Sequence, residues 1–294
     1  RRRGARRDDA APRQRSPRPV RSVELPAHAK LNLYLEVLGR RPDGYHEIDS
    51  IAQEISLHDT VVVERARALS LEVEGDAPRD RTNLAWKAAE ALGLPARIRL
   101  RKRIPAGAGL GGGSSDAAAV LRGLSRLYGA EPDPARLSAI AASLGADVPF
   151  FLSGGLARLR GIGDRVEPLP RPPPVAFLLA CPAIVSRTPS VYGALGPGLT
   201  GNPDGASLFL ESYLGESGPR GAPYFNRLQP AAERLLPALR AVREELGRRF
   251  GRDFTLTGSG AAYFAPAERS DRAALEFESA GIRVRVWRVD AKGA

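Results

Sequence analysis

The chain has 294 residues, 43% of them hydrophobic, enough for one large domain or two ordinary ones with a real core. One Cys, three scattered His and the lack of any run of 18 apolar residues exclude a disulfide framework, a cysteine-rich metal site and a transmembrane helix. The net charge of +11 suggests nucleic acid, but its location argues against one: residues 1–22 hold nine Arg and two Asp, while the rest carries 35 basic and 31 acidic residues.

Residues 1–22 are rich in Arg, Pro and Ala and have no apolar periodicity, so a disordered tail is expected. They lack the apolar segment of a secretory signal, and an organellar transit peptide would carry more Ser and fewer acids. A reducing cytoplasm is the expected setting. Order begins near Val23. Leu31, Leu33, Leu35 and Val37 alternate with Asn32, Tyr34 and Glu36, a strand with one buried face. Lys30 and Asn32 share the other face. Arg41-Pro-Asp-Gly44 is a turn signal. A strand over Ile48–Leu57 follows, then Val61–Glu64 and Leu69–Glu74 as a hairpin pair. A short helix over Leu84–Leu92 opens at Asn83 and stops at Gly93.

The strand 97–104 leads into Pro105-Ala-Gly-Ala-Gly-Leu-Gly-Gly-Gly-Ser-Ser-Asp-Ala117. Beyond it Val120, Leu121, Leu124, Leu127 and Tyr128 recur at helical spacing, with Ser114, Ser115 or Asp116 as candidate caps. Leu137, Ile140, Ala141 and Leu144 mark a second helix, closed by Gly145. Asp147 then stands before Val-Pro-Phe-Phe151, and Gly154–Val166 reads as a hairpin. Five prolines between 168 and 174 set a boundary, giving domains 23–168 and 169–294. The second contains a strand (Val175–Ala180), a short helix near Val191, a loop over 196–205 and helices over Ala206–Leu214 and Pro230–Phe250. Strands Phe254–Thr257 and Ala261–Ala265 flank Gly258-Ser-Gly260, and a helix over Arg269–Ala280 precedes a strand over Ile282–Val289. That order suits an α+β layer of helices on an antiparallel sheet.

Strand, glycine loop and helix N-terminus together make an anion site, with free N–H groups and the positive end of the helix dipole facing the loop. Nucleotide phosphate is the expected ligand. A Walker A loop needs a Lys after its last glycine, and none is present. Gly107-x-Gly109-x-x-Gly112 matches the dinucleotide fingerprint, but a second helix follows where a strand with a terminal acid is required, and Glu131 lies in a polar turn.

The loop does resemble the phosphate loop of the GHMP small-molecule kinases, with its Pro, Gly-Leu-Gly and Ser-Ser all in place, and Gly258-Ser-Gly-Ala261 is similar to that family's C-terminal glycine motif. Ala29-Lys-Leu-Asn-Leu-Tyr-Leu-Glu-Val-Leu-Gly-Arg-Arg-Pro-Asp-Gly-Tyr-His46 and Gly145-Ala-Asp-Val-Pro-Phe-Phe151 resemble signatures of the branch whose acceptor is 4-diphosphocytidyl-2-C-methyl-D-erythritol. The resemblance runs from about 23 to 290 and implies a two-domain α+β kinase with the active site between domains. It implies ATP, Mg²⁺ and a small-molecule acceptor, and neither nucleic acid nor membrane as partner. The rival acceptors are homoserine and mevalonate derivatives, and Asp43-Gly-Tyr-His46 with Lys30-x-Asn32 favours the cytidyl substrate. A non-enzymatic nucleotide-binding or nucleic-acid-binding protein is the second rival; Asp147 and the near-balanced charge after residue 22 argue against it.

The resemblance also assigns roles. Pro105, Ala106, Gly107, Ala108, Gly109, Leu110, Gly111, Gly112, Gly113, Ser114 and Ser115 cradle ATP, with a Ser hydroxyl on phosphate or Mg²⁺. Asn83 serves either adenine or only its own helix cap. Asp147 is the base or orienting carboxylate. Lys30, by itself an ordinary strand-edge lysine, becomes its cationic partner. Asn32, Tyr45 and His46 hold the cytidine end, and Thr188 and Tyr192 bring an aromatic to the other face of the base. No metal ligand is assigned. The segment Asn226-Arg-Leu-Gln229 departs from the acidic pattern of family members, so no role is assigned to it.

Overall fold

A computed structural model describes residues 21–129, 133–196, 201–271 and 274–293. The tail at 1–20, positions 131–132 of the polar turn and positions 197–200 of the expected 196–205 loop lie outside these.

Two sheets carry the molecule. The first is built on two long antiparallel strands, β1 (Ser22–Arg40) and β2 (His46–Arg65), joined by the Asp43-Gly44 turn. β3 (Ser70–Glu74) does not form a hairpin with β2 but runs parallel to β4 (Ala96–Arg101), which pairs antiparallel with β2. Alternating Leu71 and Val73 fit either pairing, and the long excursion through α1 (Leu84–Leu92) selects the parallel one. α2 (Gly112–Tyr128), α3 (Pro134–Leu144) and α4 (Val148–Ser153) follow, then β5 (Leu156–Gly161) and β6 (Arg165–Pro168). β5 pairs with the first half of β2. Val61, Ile98, Val120, Leu124 and Phe150 are among the fully buried side chains that seal helices to sheet.

The second sheet has the order β11 (Ala274–Ser279), β12 (Ile282–Asp290), β7 (Ala176–Pro182), β10 (Tyr263–Pro266), β9 (Thr255–Leu256). Along the chain come β7 (Ala176–Pro182), α5 (Thr188–Gly193), α6 (Gly205–Leu214), α7 (Gly218–Gly221), β8 (Phe225–Asn226), α8 (Gln229–Leu235) and α9 (Pro237–Phe250). β9 (Thr255–Leu256), β10 (Tyr263–Pro266), β11 (Ala274–Ser279) and β12 (Ile282–Asp290) complete it. The expected single helix over 230–250 is two, because Pro237 cannot continue the first and Leu236 turns extended. The expected last helix is largely strand β11. Leu275 and Phe277 alternate with Glu276 and Glu278, and Glu276 faces Arg283 and Arg285 on β12, so period two wins.

β1 was expected to bury one face; residues 29–37 are buried throughout. The reason is tertiary. Leu31 and Leu33 pack with Phe177, Leu179 and Phe264, and Leu35 and Val37 pack with Leu228 and Leu256. Tyr34 and Leu35 also pair in parallel with β8. β1 is thus the element that both halves of the chain share.

Candidate active site

The glycine loop joins β4 to α2. Its conformation depends on glycine at one position above all: Gly109 has φ +76°, and a Cβ there would lie 2.4 Å from the Thr257 carbonyl oxygen. The loop therefore presses against the 257–260 turn from the other half of the chain. Leu110 O accepts from Lys30 N at 3.0 Å, and Ala108 O accepts from Ala262 N at 3.1 Å. α2 starts at Gly112 behind a left-handed Gly111 with no side-chain cap. Ser114 and Ser115 are not caps but first-turn residues, as is usual when glycine supplies the turn itself. The N–H groups of Gly112, Gly113 and Ser114 thus have no intrahelical partner and stay available to an anion, whereas Ser115 N already donates to Gly111 O at 2.9 Å.

A cavity of about 580 Å³ lies against this loop, lined by Pro105 to Ala108, Leu110 to Gly113, Asn83 and Lys102, among others. Asn83 caps α1: its Oδ1 accepts from Ala85 N at 2.9 Å, and its Nδ2 donates to Pro78 O at 2.7 Å. Its amide hydrogen bonds are thereby used structurally, although it lines the cavity.

On the other side of the loop is a cleft of about 1090 Å³, and Gly109 and Ser114 line it too. Lys30, 4% exposed, stands 3.6 Å from Asp147 Oδ2, an ion pair rather than a hydrogen bond. Asp147 sits ahead of α4 without capping it, so its half-exposed carboxylate faces the cleft. Lys30 Nζ donates to Asn32 Oδ1, Asn32 Nδ2 to Ser50 Oγ (2.8 Å) and Ser50 Oγ to Tyr34 O (2.7 Å). Thr257 Oγ1 accepts from Asn32 N at 2.9 Å. This relay orients Lys30. It also gives Asn32, expected at the cytidine end, a second task, since its amide oxygen and nitrogen hold Lys30 and Ser50.

Tyr45 is 61% exposed at the rim. The His46 and Tyr192 rings already touch, with centroids 5.1 Å apart and planes at 36°. Tyr45, expected to face Tyr192 across the base, lines the same cleft as His46 and Tyr192. Burial, and secondarily the Arg40 charge, lowers the His46 pKa, keeping its imidazole neutral at pH 7. Burial, with a contribution from Asp147, raises that of Tyr192, which stays a phenol. Thr188 Oγ1 is 2.8 Å from Ser259 Oγ, and Ser186 Oγ donates to Ser259 O at 2.6 Å, so Thr188 helps hold the 257–260 turn.

Several residues escaped the sequence reading. Arg40 lines the cleft. Asn226 Nδ2 donates to both Leu256 O and Gly258 O at 2.7 Å, and Gln229 Oε1 accepts from Leu256 N at 2.8 Å. That segment is scaffolding for the turn, and Arg227 pairs with buried Glu36 at 2.7 Å. The Gly258-Ser-Gly260 motif was the only available signal for this neighbourhood. Lys102 bridges Asp59 and Asp116 beneath the loop. Burial is the largest influence on Asp116 and pushes its carboxyl up to about 7, against the pull of Lys102. Its folded pKa thus exceeds the unfolded value of 3.8, so folding favours the protonated form. The associated stability is full below about pH 4 and lost as pH rises through about 7. The stability of Asp116→Asn relative to wild type should therefore grow between about pH 5 and 8 in urea unfolding. A pH-independent difference would contradict this.

Comparison with known proteins agrees with this arrangement. Residues 83–155 match the GHMP kinases N terminal domain and 206–282 the GHMP kinases C terminal domain. A 4-diphosphocytidyl-2-C-methyl-D-erythritol kinase of Thermus thermophilus is 45% identical over 273 residues, covering 90% of this chain and 95% of that protein. A crystal structure of 4-(cytidine 5'-diphospho)-2C-methyl-D-erythritol kinase superposes with a TM-score of 0.76 at 42% identity, covering 92% of this chain and all of the other. Homoserine kinase from Cytophaga hutchinsonii, at 19% identity and TM-score 0.63 over 86% of this chain and 87% of its own, shares the fold. The chain is a GHMP kinase and belongs to the 4-diphosphocytidyl-2-C-methyl-D-erythritol kinase family.

Proposed function

We propose that this protein transfers the γ-phosphoryl group of ATP to the 2-hydroxyl of 4-diphosphocytidyl-2-C-methyl-D-erythritol, a step on the non-mevalonate route to isopentenyl diphosphate. One observation carries the mechanism: the Lys30–Asp147 pair lies in a cleft that meets the glycine loop at Gly109 and Ser114. In this reading ATP occupies the cavity at 105–113, with its phosphates on the first-turn N–H groups of α2. Asp147 orients the acceptor hydroxyl and takes its proton. The bond from the acceptor oxygen to the γ-phosphorus forms as the bond to the bridging oxygen breaks, and ADP leaves. Lys30, fixed by Asn32, neutralises charge on the acceptor oxygen. Such transfer is mostly positioning and electrostatics.

Mg²⁺ belongs to this proposal. Among the described residues no three His, Cys, Asp or Glu gather as a metal cage. In kinases Mg²⁺ is carried mainly on nucleotide phosphates and water, with few protein ligands. Bound there, Mg²⁺ would neutralise phosphate charge.

The cytidine end would lie toward Tyr45, His46 and Tyr192. Tyr192→Ala should raise KM for the acceptor about tenfold, within the 1–3 kcal/mol that an aromatic contributes to a stacked base, and leave KM for ATP unchanged. A change confined to ATP would remove Tyr192 from the acceptor site. A coupled ADP-release assay with the cytidyl substrate, homoserine and mevalonate tests the whole reading. Turnover with homoserine and none with the cytidyl compound would refute it. Among the described residues no helix is long and apolar enough to cross a membrane.

A further inference from the structure

We propose that Lys102 and Asp116 are positioning residues for the nucleotide: with Asp59 they form a buried brace that sets the separation of the two ends of the phosphate loop. The inference rests on reading that loop as the ATP site. Asp59, on β2, is fully buried. Its Oδ1 accepts from the backbone N–H groups of Arg103 and Ile104, the last residues before the loop. Its Oδ2 accepts from Lys102 Nζ. The same ammonium donates to Asp116 Oδ2, in α2, where the loop ends. A Cβ on Gly112 would come within 3.0 Å of Ile104 Cγ2 and 3.5 Å of Asp59 Oδ2, so both ends are packed on the cluster.

The chemistry argues for positioning over simple stability. Burying a lysine in contact with two carboxyl groups adds little net stability, because desolvation offsets the attraction. A further cost is visible: Asp116 Oδ1 is buried with no hydrogen-bond partner. What the cluster does supply is geometry. A loop of glycines has almost no side chains to pack, so something outside it must hold its N–H groups in register for phosphate. An ammonium with donors directed at two carboxylates on two elements does this, and Lys102 and Asp116 both line the nucleotide cavity.

Lys102 variants would strand two buried carboxylates, so the test is made at Asp116. Asp116→Ala cuts the brace and leaves the Lys102–Asp59 pair intact. It should weaken ADP binding in isothermal titration, and raise KM for ATP, by at least about tenfold, less than the ~10²-fold a 1 Å misplacement can cost. KM for the acceptor should not move. Asp116→Asn keeps an oxygen acceptor for Lys102 and should recover most of the ADP affinity. Unchanged ADP affinity in folded Asp116→Ala would overturn the inference, as would Asp116→Asn being equally impaired. Should Asp116→Ala not fold, Asp59→Asn reads the same brace from β2. It keeps the oxygen that meets the two backbone N–H groups and sets an amide nitrogen against Lys102; unchanged ADP affinity there would also overturn it. Wild-type protein without affinity for ADP would sink the nucleotide reading itself, whereas wild-type binding with unaffected variants would sink the brace alone.

Discussion

Asp147→Asn and Lys30→Met are each expected to lower kcat at least ~10²-fold, the range for a positioned acid–base group. Both substitutions are close to isosteric. Asp147 is half-exposed and caps nothing, so its amide loses only a partly solvated ion pair with Lys30, worth about 0–1 kcal/mol. Lys30 is different. Its stem packs near Gly111, which Met retains, but Asn32 Oδ1 loses its buried donor, at a cost of about 1–3 kcal/mol. Stability should separate the two variants while turnover does not. The pair acts as a unit, so the double variant should be about as slow as the slower single one. Single-turnover assays with saturating ATP decide this. Near-normal turnover in folded Asp147→Asn would leave the reaction without its carboxylate and remove that residue from the mechanism.

Gly109→Ala should be the most damaging substitution in the loop. Two costs add. The residue has φ +76°, which charges a side chain about 1–2 kcal/mol. The new methyl would also meet the Thr257 carbonyl at 2.4 Å and the Gly260 carbonyl at 3.0 Å, an overpacking cost of about 1–3 kcal/mol. Both neighbours are backbone, so relief requires the loop and the 257–260 turn to separate. That movement would shift Thr257 away from Asn32, and Asn32 is what orients Lys30. The expected result is a drop in kcat/KM of at least ~10²-fold, since misplacement by about 1 Å is enough. Gly113→Ala is the stability control. Gly113 lies in α2 with only Leu84 Cδ1 near, at 3.8 Å, so its melting temperature should equal or exceed that of wild type. Equal thermal stability and activity in Gly109→Ala would show that loop and turn are not coupled.

Much of the site was legible locally. The glycine loop announced itself because only glycine takes the required backbone angles, and such needs are written residue by residue. Lys30, Asn32, Tyr45, His46 and Asp147 stood in recognisable stretches, and all five line the same cleft. The elements that failed did so where two local readings were equally good. Leu275 and Phe277 fit a helix or a strand until Arg283 and Arg285 stand opposite Glu276. Leu71 and Val73 fit an antiparallel or a parallel neighbour until β4 returns beside them.

What remained invisible is of one kind. Asn32 meets Thr257 across 225 positions of chain, and Lys102 joins Asp59 to Asp116 across 43 and 14. Composition and spacing specify which backbone shapes a segment tolerates, and from these follow the anion-binding loop and the mixture of helices and strands, while the kinase chemistry came from the resemblance of the motifs to those of the GHMP kinases. They do not say which buried polar groups must satisfy one another, because that demand arises only after the apolar surfaces of β1, the first sheet and the second sheet have closed and excluded water. The orientation of Lys30, the commitment of Asn32 and the brace under the loop are consequences of that closure.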